Sequence, residues 1–196
     1  MCLSTCLVAG CGGGNERQDE NERAGNYELE VTEAKFPAKQ KLAKKSNLVI
    51  EVRNAGSQTV PNVAVTVDGL TERKDNKDLA DPNRPVFVIN GRPVEIGGVP
   101  DSKDDVPAGC DTAYVNTWAC GPLKAGDSKR FRFNVTAVAA GDYNVEYRVS
   151  AGLDGKAKAV PSNGTELSGS FSGNISDAAP TTRVADDGHT IVEGSR

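Results

Sequence analysis

The chain has 196 residues, enough for one ordinary domain with tails or two very small ones. A formal charge of −4 disfavours a dedicated nucleic-acid binder. A single His, His189, excludes a His-rich metal centre within one chain and leaves one residue for any Ser-His-Asp or Cys-His machinery. Val outnumbers Leu by 21 to 10, and about a sixth of the chain is Gly or Pro, so short strands and turns are expected rather than helices. Aromatic residues are only 5%, which leaves Val, Ile and Ala to build the core.

The chain opens with small apolar residues and no charge before Glu16. The tetrad Val8-Ala9-Gly10-Cys11 resembles the lipobox of bacterial lipoproteins. The resemblance implies cleavage before Cys11 and a diacylglycerol on its thiol, with Cys2 and Cys6 discarded in the signal. Residues 1–10 are shorter than a usual signal peptide and lack its basic start, which implies a start codon placed too late. Residues 11–26 follow as Gly, Asn and charge without apolar periodicity, the composition of a flexible tether. Acyl chains would hold the protein on a membrane without a spanning helix, so an extracytoplasmic, membrane-anchored location is expected.

From Tyr27 the pattern has period two. Tyr27, Leu29 and Val31 alternate with Glu28 and Glu30; Leu48, Ile50 and Val52 recur likewise, then Val63, Val65 and Val67. Phe131, Phe133 and Val135 follow, then Tyr143, Val145, Tyr147 and Val149. Turn signals separate the runs, as at Asn54-Ala55-Gly56, Asp68-Gly69 and Gly141-Asp142. Six or seven such strands predict an all-β, Greek-key immunoglobulin-like β-sandwich over residues 27–160. Gly141-Asp142-Tyr143-Asn144-Val145 resembles a tyrosine corner, in which the Tyr143 hydroxyl bonds to backbone upstream. The alternative is a plain apolar strand residue.

Residues 47–69, NLVIEVRNAGSQTVPNVAVTVDG, resemble the opening of CARDB domains, the cell-adhesion-related domains of bacteria. Residues 124–155, KAGDSKRFRFNVTAVAAGDYNVEYRVSAGLDG, resemble their closing half. The resemblance implies an immunoglobulin-like fold and a surface setting, and it names no ligand. It departs from the pattern at residues 70–123, a long insertion holding strand-like Val86-Phe87-Val88-Ile89 and Tyr114-Val115-Asn116-Thr117-Trp118. This insertion is read as a sheet extension plus an exposed excursion. Residues 161–196 are rich in Ser, Gly and Asp and are read as a C-terminal segment in which Ser170-Phe171-Ser172 and Thr190-Ile191-Val192 form short strands of a terminal hairpin or belong to a loose tail.

Within the excursion, Cys110 and Cys120 are close enough in an exported chain to pair. An eleven-residue loop so closed gains roughly 2.5–3 kcal/mol in the chain-entropy model. The bond would brace a loop carrying Tyr114 and Trp118, the candidate binding aromatics. Trp118 is either the sandwich's core tryptophan or an exposed anchor. Asp75, Asp78 and Asp81, with Asp101, Asp104 and Asp105, are weak calcium candidates, since neither run has EF-hand order. Lys35, Lys39, Lys41, Lys44 and Lys45 form a basic stretch that either leans on anionic lipid or wall polymer or blunts a strand edge. His189 sits in a predicted turn. No cofactor, catalytic group or nucleic-acid partner is expected. The expected role is a non-catalytic binding or adhesion module facing an envelope protein or cell-wall glycan, or an accessory subunit docking through residues 70–123.

Overall fold

A computed structural model describes residues 19–20, 22–75, 83–96, 109–164, 166–177 and 182–193. Cys11, Asp78, Asp81, Asp101, Asp104 and Asp105 lie outside them, and the side chain of Asp75 is likewise not described. The strands are β1 (Gly25–Lys35), β2 (Lys39–Lys41), β3 (Lys45–Asn54), β4 (Ala64–Asp68), β5 (Arg73–Asp75) and β6 (Asn83–Pro85). They continue as β7 (Phe87–Ile89), β8 (Val94–Glu95), β9 (Asp111–Tyr114), β10 (Thr117–Ala119) and β11 (Ser128–Ala137). The last are β12 (Gly141–Ser150), β13 (Ala157–Pro161), β14 (Ser168–Ser176), β15 (Thr182–Val184) and β16 (Ile191–Glu193).

The fold is an all-β sandwich. One sheet runs β13-β1-β3-β11-β7, with β8 also on β11; the other runs β2-β14-β12-β4-β10-β9. The chain crosses between sheets at almost every connection, which is the Greek-key habit. Period-two burial follows the sequence. Leu29, Leu48, Ile50, Val52, Phe131 and Phe133 line the inner face of the first sheet. Val65, Val67, Trp118, Tyr143, Val145 and Val149 line that of the second. Each such side chain contributes about 1.5–3 kcal/mol on burial, and together they hold two sheets that share few hydrogen bonds.

Pro37 has no amide hydrogen to donate, so the ladder of β1 stops there and the strand changes sheets. Phe36 fills the gap at the crossing. Its ring lies 5.4 Å from Phe87 and 5.5 Å from Tyr143. Beyond it β2 pairs in parallel with β14.

The sheet extension expected of residues 70–123 is present: β7 and β8 extend the first sheet through β11, and β9 and β10 extend the second through β4, while β5 and β6 pair with each other outside both sheets. Three expectations change. Tyr114–Trp118 is not one strand, because Asn116 takes φ 58° and the chain reverses into the β9–β10 hairpin. The sandwich continues past residue 160, since β14 pairs with β12 over eight residues. The stretch 11–26 is not wholly a tether, because Glu22 is buried and Gly25 opens β1.

Candidate binding surface

The hairpin of β9 and β10 is pinned at both ends. At its base Cys110 and Cys120 form a disulfide with an S–S distance of 2.03 Å. The Cys120 amide donates to Val63 at 2.8 Å, which docks this end on β4. At its tip the Val67 amide donates to the Asn116 carbonyl at 2.8 Å. Asn116 Nδ2 donates to Asp68 Oδ1 at 3.1 Å, and Thr71 donates to Asn116 Oδ1 at 3.1 Å. A turn held this way presents its side chains with little freedom left to lose on binding.

Two aromatic side chains of the hairpin part company. Tyr114 is 50% exposed and Val115, at the tip, is 87% exposed. Trp118 is buried, with its ring 5.1 Å from Phe133 and edge-on to it. The exposed-anchor reading of Trp118 is therefore corrected: it sits opposite Val65, an inward position, and residues opposed across strands share a face.

The same rule places Tyr114 on the outer face of the second sheet. Register aligns Tyr114, Thr117, Thr66, Arg148 and Ser168 in one row across five strands. Thr66 and Thr117 join hydroxyls at 2.9 Å. The next row holds Asp68, Glu146 and Ser170, followed by Asn144 with Ser172 and Asp142 with Asn174. Asn144 Nδ2 bridges two rows by donating to Glu146 at 3.1 Å, and within the rows Ser172 donates to Asn144 at 3.0 Å and Asn174 Nδ2 donates to Asp142 at 2.8 Å. A shallow groove of ≈ 270 Å³ lies among Asp68, Glu146, Arg148, Ser168 and Ser170. Among the described residues, the Arg148 guanidinium makes no hydrogen bond or ion pair.

The outer face of the first sheet is chemically different. Arg130 pairs with Glu33 at 2.6 Å and lies 3.9 Å from Glu51, and Arg53 pairs with Glu30 at 3.4 Å. The Lys35 ammonium, and then Arg130, hold the Glu33 carboxyl below its ordinary value. Arg130 and Arg53 there are answered by carboxylates of neighbouring strands, while Arg132 beside them, like Arg148 on the second sheet, makes no ion pair among the described residues.

The two ends of the sandwich also differ. The N-terminal segment arrives at the end where Ala64 faces Ser150. There the Glu22 carboxylate accepts from the Leu153 amide at 2.8 and 2.9 Å, and Asn62 Nδ2 lies 3.5 Å from it. Burial pushes the Glu22 carboxyl up, against the lowering effect of those backbone bonds. The hairpin tip lies at the opposite end of β4, beside Asp68. Lys39 and Lys41 in β2, with Lys44 and Lys45, share that far end.

Tyr143 stands at the start of β12 as expected, and its hydroxyl does reach upstream backbone. The acceptor is Pro37, 106 residues earlier, rather than a near neighbour, so the residue ties a sheet crossing instead of closing a local corner. His189 is exposed in a turn built on Asp187. Among the described residues no group of three or more His, Cys, Asp or Glu could hold a metal ion. Arg148, Asp68, Glu146 and Asn116 were not singled out from the sequence. Each is an outward residue of an alternating strand or a turn residue, and only strand register brings them together.

No protein-family model matches the chain, and no curated protein matches it. Solved structures do. The solution structure of a CARDB domain from Pyrococcus furiosus is 20% identical, with 75% of this chain and 93% of that one covered and a TM-score of 0.41. A crystal structure of that domain in complex with di-metal ions is 18% identical, covering 80% and 94%, with a TM-score of 0.44. A PapD-like domain of human CEP192 is 15% identical, covering 91% and 99%, with a TM-score of 0.35. At these identities the likeness is one of fold.

Proposed function

We propose that the chain is a lipid-anchored, extracytoplasmic, non-catalytic module that binds a cell-wall glycan on the outer face of its second sheet. The observation that supports this is the row from Tyr114 to Ser168, in which Arg148, between Thr66 and Ser168, has no ion pair among the described residues. Sugars offer vicinal hydroxyls and an apolar ring face. The guanidinium donates to such hydroxyls, Asp68 and Glu146 accept from them, and the exposed Tyr114 ring supplies an apolar platform at the rim. The disulfide suits an oxidising compartment. Attachment rests on Val8-Ala9-Gly10-Cys11, and a tether ending at Glu22 would leave the hairpin end pointing outward. Cosedimentation with purified cell-wall polysaccharide tests the binding. Arg148→Ala and Tyr114→Ala should each weaken it at least fivefold, and undiminished binding in both would remove the reading. Globomycin treatment or Cys11→Ala tests the anchor, with unchanged membrane retention counting against it.

A second reading is favoured by one observation. Val115 and Val88 are exposed aliphatic residues in the 70–123 segment, 87% and 45% accessible. An accessory subunit would dock an envelope protein there. Crosslinking from position 115 in intact cells separates the two, since a glycan binder yields no protein adduct.

A further inference from the structure

Among the described residues, the β14 edge of the second sheet is open over most of its length. β2 covers β14 only at Asn174–Ser176. Alternation of the ladder tells which backbone groups point outward. Val149 donates to the Leu167 carbonyl, so Leu167 faces β12, while Asn174 donates outward to Ala38 at 2.8 Å. Ser168, Ser170 and Ser172 share the parity of Asn174. Their amides and carbonyls therefore face away from β12, and no strand of the described residues pairs with them.

Proteins blunt such edges with Lys, Pro or a bulge. The nearby β13 does so. Its Lys156 carbonyl accepts from Gly25 and Ser162 donates to Leu29, so Ala157, Ala159 and Pro161 face outward, and Pro161 has no hydrogen to offer. From Ser168 to Gly173, β14 has neither charge nor Pro. Between the edges of β13 and β14 the two sheets stand apart around a cleft of ≈ 580 Å³. Val149, Leu153, Ala157, Ala159 and Leu167 give it apolar walls. Arg148 and Lys158 line it as well, against one carboxylate, Glu166. Neither cation is ion-paired among the described residues.

We propose that the open edge of β14 at Ser168–Ser172 accepts an extended peptide as an added strand, with apolar residues at alternate positions and acidic residues at its ends. Main-chain bonds to three serines supply the affinity. The alternate side chains enter the cleft, and Arg148 and Lys158 favour acidic flanks. A second copy fits less well. Antiparallel self-pairing centred on Ser170 sets residue 174 of one copy opposite residue 166 of the other, where β2 already holds the edge. It also brings the cations of both copies together.

The probe is a labelled synthetic heptapeptide alternating Val and Thr between terminal Asp residues, read by fluorescence anisotropy against the full chain. Ser170→Pro removes one outward donor without touching the β12 ladder, so folding should persist. It should weaken binding at least tenfold, and Lys158→Glu should weaken it at least threefold. Equal binding by the wild type and a folded Ser170→Pro variant overturns the proposal. If that variant does not fold, the peptide N-methylated at alternate residues replaces it, and undiminished binding of the methylated peptide overturns the proposal equally. Sedimentation velocity covers the rival occupant: a wild-type dimer that Ser170→Pro dissociates would assign the edge to a second copy and reject the peptide.

Discussion

The Tyr143 hydroxyl donates to the Pro37 carbonyl, and the Gln40 amide closes the triangle, donating to that hydroxyl at 3.2 Å and to that carbonyl at 3.0 Å. Burial pushes the Tyr143 phenol up, so it stays a donor across the physiological range. The triangle joins the start of β12 to the point where β1 leaves its sheet. Tyr143→Phe keeps the ring contacts and removes the bonds, at a cost of about 1–2 kcal/mol. The melting temperature should fall by about 3–6 °C, measured by circular dichroism. An unchanged melt would mean the crossing is held by Phe36 alone.

Glu22 fastens the N-terminal segment. Its carboxylate occupies the space a side chain on Gly152 would need and caps the Leu153 amide. Glu22→Ala should cost about 1–3 kcal/mol by leaving the half-buried Leu153 amide unanswered. Gly152→Ala should displace the segment and expose residues 19–24 to proteolysis first.

The pH dependence of this latch runs opposite to the usual carboxylate. Burial raises the Glu22 pKa above 4.5, so the folded chain keeps its proton to a higher pH than the unfolded chain. The contribution is fully present below 4.5 and declines as pH rises through the folded value. Wild type minus Glu22→Gln, measured from about pH 4 to about pH 7, should show that decline. Asp187 does the reverse. Its bonds to the Thr190 hydroxyl and to the amides of Thr190 and His189 lower it from 3.8 to about 2. Exchange protection of those amides should persist above 3.8 and vanish as pH falls through about 2.

The disulfide closes a loop with a sequence separation of 10. Cys110→Ser with Cys120→Ser should destabilise the fold by roughly 2.5–3 kcal/mol in the chain-entropy model. It should also let the hairpin tip leave β4, seen as faster exchange at the Val67 amide, which Asn116 protects. Protection that survives would place the pinning at Asn116 alone.

Trp118 reports on the core. Its emission should be blue-shifted and indifferent to added polysaccharide, whereas a tyrosine-specific probe at Tyr114 should respond. Trp118→Ala should cost about 3–5 kcal/mol through the cavity it leaves against Phe133. A red emission maximum would contradict the packing.

Much of this was legible residue by residue. Strands such as β3, β4, β11 and β12 announce themselves because burial on one face imposes a period of two on hydrophobicity, and every apolar residue so marked in β3 and β11 is buried. β14 gave little such sign. Its Ser-Gly alternation buries almost nothing, and it is a strand because β12 offers it eight paired residues. Tyr114 and Trp118 looked alike as candidate anchors, and a turn at Asn116 with register against β4 sent one outward and one into the core. The sequence by itself determined the β character and the inward face of each alternating strand, because those depend on local periodicity, and the cysteine pair, because the two thiols lie close along the chain. Tertiary structure alone decided that, among the described residues, Arg148 stands in a row with Tyr114 without an ion pair and β14 has an edge with no strand on Ser168–Ser172, because both arise from pairings between strands far apart in the chain.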